Sequence, residues 1–169
     1  DVAVLFETAT ARRWSVIPLL DERLFVVGQA SLPGMPQGRR VRLGQLVDVP
    51  LILPSHSHGL RAIVDSAFAR TKCEPRIVLE IDGLAALMDA VRAGLGATVQ
   101  PGAAMVRVPH EQVAMVEIAD KSAYRRNLLA SLSDDELSPA ALAARVVLAD
   151  VARTLVRAGR WPGATLHEN

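Results

Sequence analysis

Residues 50–101 read PLILPSHSHGLRAIVDSAFARTKCEPRIVLEIDGLAALMDAVRAGLGATVQP, and this stretch decides the fold. Apolar residues recur three and four positions apart between 60 and 68 and again between 84 and 91, which is the spacing of one face of a helix. Short apolar runs at 50–53, 76–81 and 97–100 flank these helices and predict strands. Strands that alternate with helices over such short links predict a parallel sheet with right-handed crossovers.

Outside this stretch the sequence predicts further strands and one long helix. Strands are expected at 2–6, 14–20, 23–27, 113–118 and 126–132, with the charged pair Asp21 and Glu22 separating the second from the third. Ser138 is a good N-cap and Pro139 fits a first helical turn, so a long helix is expected to start there. Asp82 is predicted to cap the helix at 84–91, and residues 157–169 are predicted to be a fraying tail.

The composition of the chain excludes several classes of function. Lys and Arg total 19 and Asp and Glu total 18, so the formal net charge of +1 gives no basic field for binding phosphate backbones. Cys73 is the one cysteine, so no internal disulfide can form, and a reducing, cytoplasmic setting is expected. No apolar run approaches the roughly 20 residues that a membrane span needs, so no membrane partner is expected.

Five segments, in order along the chain, resemble motifs of the LysR-type transcription regulators. DVAVL at 1–5 is similar to their D-L-A-I or D-L-A-L strand, and IPLLDERLFVV at 17–27 is similar to their P-L-x-x-E-x-L-x-L-V segment. LGQLVDVPLI at 43–52 resembles L-x-x-L-x-x-x-P-L-I, VRAGLGATVQP at 91–101 resembles V-x-A-G-L-G-I-x-x-x-P, and LSPAA at 137–141 resembles the start of the last helix. PSHSHGLR at 54–61 is similar to the branch that contains nitrogen-assimilation regulators. Two residues depart from the pattern: Gln100 replaces a usually apolar residue before the proline, and Ala97 replaces a usual Ile.

The resemblance implies the α/β fold of type 2 periplasmic binding proteins, in which two crossing strands join two lobes. Residues 1–27 are expected to end the first pass of lobe one, residues 28–131 to form lobe two, and residues 132–169 to return to lobe one with the long helix. The abrupt start of the chain on a buried strand predicts that lobe one is incomplete here through N-terminal truncation.

The same resemblance implies that the chain is the effector-sensing domain of a bacterial regulator. A small molecule, expected to be a carboxylate or another anion, would bind in the cleft between the lobes, with no cofactor. DNA would be contacted only through an N-terminal winged helix-turn-helix that these 169 residues do not contain. The family also implies a homodimer or homotetramer, with the helix at 59–71 expected at the dimer contact.

Candidate ligand-binding residues follow the predicted strands, because ligands of open parallel sheets bind beyond the carboxyl ends of the strands. Three such ends are expected to contribute. The candidates are Thr8, Ser55, His56, Ser57, His58, Gly59, Arg61, Gln100 and Pro101. The turn at 55–59 leads into a helix N-terminus, whose free N–H groups and dipole favour an anion. The alternative is that one serine merely caps the helix and the histidines are solvated.

Two other classes of protein stay open at this point. A solute-binding transport protein of the same fold would lack the DNA-binding domain and carry an export signal. A hydrolase that uses the Ser/His turn would need a G-x-S-x-G elbow and an assigned Asp, and the local sequence supplies neither. A metal site at His56 and His58 is disfavoured because no Cys or carboxylate adjoins them in sequence.

Overall fold

The computed structural model describes residues 2–6, 14–106 and 113–167. Nine strands and three α-helices are defined in this part of the chain, together with 3-10 turns at Leu43–Gln45 and Gly102–Met105. The strands are β1 (Val2–Phe6), β2 (Ser15–Gly28), β3 (Arg40–Val41), β4 (Leu51–Leu53), β5 (Ile77–Glu80), β6 (Thr98–Pro101), β7 (Ala114–Ile118), β8 (Tyr124–Ser131) and β9 (Ala164–Leu166). The helices are α1 (Gly59–Arg70), α2 (Leu84–Arg92) and α3 (Pro139–Arg157).

The chain divides into two compact units. Unit 1 comprises residues 1–22 and 125–169, and unit 2 comprises residues 23–124. The long strand β2 contributes its first part to unit 1 and its last part, from Arg23, to unit 2.

Unit 2 contains the predicted parallel crossovers. β4 pairs in parallel with β5, and Leu51 forms a parallel bridge with Ala97 at the start of β6. β6 and β7 each pair antiparallel with β2, and β3 extends this sheet by a parallel pairing with β7. The parallel order predicted for 50–101 is therefore confirmed.

Gly96 lies where β4 and the segment before β6 approach most closely. A Cβ atom on Gly96 would lie 2.7 Å from the carbonyl oxygen of Pro50 and 2.9 Å from the side chain of Ile52. The glycine in the G-L-G motif is thus required by the close approach of two backbones.

Two helices cover the sheets of unit 2 with their apolar faces. α1 buries Leu60, Val64 and Phe68 in the main core, which also contains the β4 side chains Leu51 and Leu53. A second cluster joins α2, through Leu87, Met88 and Val91, to side chains of β2. Fully buried side chains of this size each contribute roughly 1.5–3 kcal/mol to stability. The two clusters together give unit 2 an extended core of its own.

Unit 1 is built on antiparallel pairs, and two predictions about it were wrong. β1 pairs with β8 from Val2↔Ser131 to Phe6↔Asn127. Asp21 and Glu22 do not separate two strands, because β2 runs through them and pairs with β9 there. The expected fraying tail instead supplies β9, whose Leu166 pairs with Leu20.

The long helix α3 begins as the sequence predicts. The Ser138 hydroxyl accepts a hydrogen bond from the backbone N–H of Ala141 at 3.2 Å, and Pro139 is the first helical residue. Ala152 is the buried residue of this helix, and it packs with Leu19 and Leu20 of β2. In the described part of the chain, no helix is long and apolar enough to cross a membrane.

Candidate functional site

The carboxyl ends of β4, β5 and β6 lie at the same edge of unit 2, because these three strands run parallel. Three segments follow from them: residues 54–59 after β4, residues 81–83 after β5, and the 3-10 turn at Gly102–Met105 after β6. We call this edge the unit 2 rim. It brings together two of the three strand ends for which the sequence predicted ligand contacts, those at Ser55–Gly59 and at Gln100 and Pro101.

Asp82 links the rim segment after β5 to the rim segment after β4 through hydrogen bonds. Its carboxylate accepts a hydrogen bond from the backbone N–H of Ser55 at 3.0 Å and another from the Ser55 hydroxyl at 2.9 Å. The backbone hydrogen bond, followed by the hydroxyl, lowers the pKa of Asp82 below its ordinary 3.8. The prediction that Asp82 caps α2 was wrong, because Gly83 is the N-cap and its positive φ of 90° suits glycine.

Arg61 is buried within α1 and is the centre of an ion-pair cluster beneath the rim. Its Nε donates to both carboxylate oxygens of Asp65 at 2.9 and 3.0 Å, and its Nη1 contacts Glu80 and the carbonyl oxygen of Pro54. Its Nη2 lies 3.0 Å from Nε2 of His56. Burial acts to lower the pKa of Arg61, but the hydrogen bonds that its guanidinium donates to Glu80 and Asp65 outweigh it and raise the pKa above its usual value.

These contacts give Arg61 a structural task. A buried guanidinium that already contacts two carboxylates, a carbonyl and an imidazole has few donors left for a ligand. Arg61 instead ties the start of α1 to the end of β5 through Glu80 and fixes the side chain of His56 at the rim.

His58 caps α1 and thereby sets the conformation of the turn. Its Nδ1 accepts a hydrogen bond from the backbone N–H of Leu60 at 3.2 Å. The hydroxyls of Ser55 and Ser57 lie 2.9 Å apart. Within the described residues, the backbone N–H groups of Ser57 and Gly59 have no hydrogen-bond partner, so both remain available at the positive end of the helix dipole.

Gln100 is buried at the end of β6 and pairs with Phe25 in the sheet. Its Nε2 donates to the hydroxyl of Thr98 at 3.2 Å, so its amide oxygen keeps its acceptor capacity. Pro101, which is also buried, ends β6 beside it. Thr8, the remaining candidate, lies outside the residues that the structure describes.

The rim does not contain the geometry of nucleophilic catalysis. A serine nucleophile needs a hydrogen bond to a general base. The hydroxyls of Ser55 and Ser57 instead contact each other, and Ser55 also donates to Asp82. Among the described residues, neither serine forms a hydrogen bond with His56 or His58. Among the described residues, no group of three His, Cys, Asp or Glu side chains is placed to hold a metal ion.

Unit 1 contains a buried polar network that the sequence analysis missed. Glu22 has no exposed surface, and its carboxylate accepts hydrogen bonds from Arg125, from Asn127 at 2.8 Å and from the indole N–H of Trp161 at 2.7 Å. The Arg125 guanidinium also lies over the ring of Phe6, 4.0 Å from its centroid. The signal available was a glutamate within the P-L-x-x-E segment, flanked by apolar residues on both sides.

Three comparisons with known proteins agree with this geometry. The LysR substrate binding domain family matches residues 1–153. The nitrogen assimilation regulatory protein nac of Klebsiella aerogenes is 35% identical over 104 residues, which cover 62% of this chain and 33% of that protein. The protein of the same name from Escherichia coli K12 is 33% identical over 104 residues, which again cover 62% of this chain and 33% of that protein. The matched region thus spans about a third of the length of these relatives.

Solved structures show the same fold. The effector binding domain of QuiR in complex with shikimate superimposes with a TM-score of 0.77 at 24% identity, covering 91% of this chain and 72% of that one. The regulatory domain of CcmR from Synechocystis PCC6803, in complex with 2-PG, gives a TM-score of 0.79 at 22% identity and covers 92% and 74%.

The type 2 periplasmic-binding-protein-like fold that the sequence predicted is therefore confirmed. The curated relatives are nitrogen assimilation regulatory proteins, which favours neither a transport protein nor a hydrolase. On the match over residues 1–153, this chain belongs to the LysR substrate binding domain family.

Proposed function

We propose that the chain is the effector-sensing domain of a bacterial transcription regulator, and that a small anionic metabolite binds at the unit 2 rim. The observation that supports this most directly is the parallel order of β4, β5 and β6, which gathers three polar strand ends at one edge. Open α/β sheets bind their ligands at such edges.

An anion would be held by the turn at 55–59. The free backbone N–H groups of Ser57 and Gly59 supply donors at the start of α1, where the helix dipole favours negative charge. The Ser57 hydroxyl and the His56 imidazole add adaptable partners, while Asp82 holds Ser55 in place. Arg61 orients this wall from below, because its own donors are engaged.

The end of β6 would complete the wall. The amide oxygen of Gln100 is suited to accept a hydrogen bond from a hydroxyl or amine of the ligand, and Pro101 gives an apolar surface next to it. Thr8 stays in the proposal as a candidate ligand-binding residue. Shikimate in QuiR and 2-PG in CcmR support the binding of a small molecule by this fold.

The regulatory output would be exerted on DNA by a segment outside these 169 residues. An effector shifts a regulator between two states only by its difference in affinity for them. We propose that the rim contacts differ between those states and that a winged helix-turn-helix, N-terminal to this chain in the whole protein, reads the change.

The assembly would be a homodimer or homotetramer. The exposed positions of α1 include Ala62, Ser66, Ala69 and Arg70, and none of its exposed side chains is large and apolar. The neighbouring strand β5 exposes Val78 and Leu79, and its outer edge has no strand partner among the described residues. Replacing both Val78 and Leu79 with Glu should lower the molar mass of the assembly measured by sedimentation. An unchanged mass would exclude the edge of β5 as the subunit contact.

The effector is tested by a thermal-shift screen of small carboxylates and nitrogen metabolites on the full-length protein. A compound that binds the folded state stabilises it by mass action and therefore raises the melting temperature. At a ligand concentration of a hundred times Kd, the stabilisation is roughly 2.7 kcal/mol. The shift should shrink in Ser57→Ala and in Gln100→Ala. Ser66→Ala, on the outward side of α1, is the matched control and should keep the full shift. If Ser57→Ala and Gln100→Ala both keep the full shift, as the control does, the ligand does not bind at the unit 2 rim.

A further inference from the structure

Unit 1 contains a groove along one flank of α3 that the proposed effector site does not use. The groove has a volume of about 640 Å³, which is within the range of roughly 300–1,000 Å³ that small-molecule pockets occupy. It is formed entirely by unit 1, from the start of β2, β8, α3 and β9. Its lining residues are Ile17, Pro18, Leu19, Leu129, Arg145, Val146, Ala149, Arg153, Arg157, Leu166 and His167.

The lining separates into an apolar floor and a cationic side. Strand side chains such as Leu19, Leu129 and Leu166 supply the floor. Arg145, Arg153 and Arg157 follow one another at spacings of eight and four along α3, so they lie on the same flank of the helix. No carboxylate belongs to the lining among the described residues.

The three arginines keep donors for a ligand. Arg157 is exposed and has no ion pair in the described part of the chain. Arg153 contacts Asp150 through Nη1 alone, at 2.9 Å, and both side chains are largely exposed, so this pair holds the guanidinium only weakly. Arg145 is more firmly held, since Nη1 contacts Asp134 at 2.6 Å and the Ser131 hydroxyl at 3.3 Å.

Nearby carboxylates limit, but do not cancel, the positive charge. Asp134 and Asp150 each offset one arginine, and His167 lies 3.0 Å from Asp21, which also pairs with Arg126. Among the described residues, Arg157 is the arginine of the lining without an ion pair, and the free face of Arg153 is one helical turn from it. A carboxylate bridging these two guanidiniums would form charge-assisted hydrogen bonds.

The opposite flank of α3 is apolar and uncharged. Ala140, Ala144, Val147, Leu148 and Val151 are exposed there and carry no charge. That flank is suited to being covered by polypeptide, whereas the groove flank combines apolar contact with cations. The two flanks therefore call for different occupants.

We propose that the groove of unit 1 is a second ligand site, separate from the unit 2 rim, that binds an amphipathic monocarboxylate. The apolar chain or ring of the ligand lies on the floor of β2, β8 and β9, and its carboxylate lies between Arg153 and Arg157. Such a site would let the protein respond to a ligand of a chemical class different from that of the rim effector.

The test is isothermal titration of the full-length protein with sodium octanoate, with octan-1-ol as the uncharged probe of similar shape. Octanoate should bind at least tenfold more tightly than octan-1-ol. The double variant Arg153→Ala/Arg157→Ala should lower octanoate affinity at least tenfold and leave that of octan-1-ol unchanged. Arg160→Ala, an exposed arginine just beyond α3 and outside the lining, is the matched control and should bind as the wild type does.

A second variant blocks the floor without removing charge. Val146→Trp, at an exposed position of the lining, should abolish binding of both probes while leaving the circular dichroism spectrum unchanged. Ser57→Ala at the rim should leave octanoate binding intact. The proposal is overturned if octanoate does not bind at millimolar concentration, if both probes bind equally, or if the arginine variants retain wild-type affinity. The first result is also what a groove filled by the rest of the protein would give.

Discussion

Unit 2 and unit 1 are stabilised by different means. In unit 2, α1 and α2 bury their apolar faces against strands that are themselves buried, so an extended core forms within residues 23–124. In unit 1, α3 is a long apolar helix of which Ala152 is the buried residue, while Val146, Val147 and Val151 are half or more exposed. What unit 1 buries instead includes the polar network around Glu22.

The difference teaches that unit 2 buries an extended apolar core within its own residues, whereas unit 1 leaves several large apolar side chains of α3 exposed. An exposed apolar patch of this kind marks an interaction surface. In unit 1 such apolar surface is formed by the uncharged flank of α3 and by β1, where Val4 and Leu5 are exposed. The following substitutions test the contrast between the units.

The largest effect is expected from Phe68→Ala in the core of unit 2. Phe68 is 1% exposed, and truncating such a side chain leaves a cavity that costs about 3–5 kcal/mol of unfolding free energy. Val147→Ala on α3, where the side chain is 58% exposed, should change it by less than about 0.5 kcal/mol. Urea denaturation followed by circular dichroism measures both. Equal losses would contradict the contrast between the two cores.

Glu22→Ala should be the most damaging change in unit 1. It leaves the guanidinium of Arg125 and the indole of Trp161 without their buried acceptor, which costs about 3 kcal/mol or more. In a Trp14→Phe background, the fluorescence of Trp161 should shift to longer wavelength because the indole becomes hydrated. Asp150→Ala, which breaks an exposed ion pair on α3, should cost less than about 1 kcal/mol. A Glu22 variant as stable as the Asp150 variant would show that the network contributes nothing.

Gly96→Ala tests the close packing of β4 in unit 2. The added methyl group would overlap the carbonyl of Pro50 and the side chain of Ile52, and such overpacking costs roughly 1–3 kcal/mol. Gly38→Ala is the control, because its Cβ would lie 3.6 Å from the nearest atom. Thermal denaturation compares the two variants, and a neutral Gly96→Ala would show that the two backbones do not approach so closely.

The smallest effect concerns the pH dependence at the rim. Because the pKa of Asp82 is lowered in the folded state, its contribution to stability is present above the unfolded pKa of about 3.8 and is lost as the pH falls through the folded value. Ser55→Ala removes the hydroxyl donor and should move the pKa of Asp82 upward, toward its ordinary value. Carbon-13 NMR of the carboxyl group follows this titration. A pKa that does not move in Ser55→Ala would show that the Ser55 hydroxyl does not contribute to the lowered pKa of Asp82.

Much of unit 2 could be predicted from the sequence because its signals are local. Helical spacing around Leu60 and Leu87, turn residues such as Gly94, and the order of strands between 50 and 101 each follow from neighbouring residues. The errors lie where a distant partner decides the structure. Glu22 reads as a strand break until Arg125 and Trp161, more than a hundred residues away, satisfy its carboxylate.

A partner that is distant in sequence also explains why Arg61 differs from the other site candidates. Its place one turn into α1 suggests an anion ligand, but Glu80 and Asp65 occupy its donors, and only the fold brings Glu80 to it. Likewise, Leu166 in the C-terminal tail has no local strand signal, and its pairing with Leu20 becomes visible only in three dimensions. Local pattern thus predicts elements, whereas buried polar partners require the tertiary structure.

Amide NMR mapping of a thermal-shift hit on the full-length protein tests the central claim most directly. If the effector binds at the carboxyl ends of the parallel strands, the largest shift changes should fall on the amides of Ser57, Gly59 and Gln100. Perturbations confined to unit 1, or spread evenly without a maximum at these three residues, would contradict it.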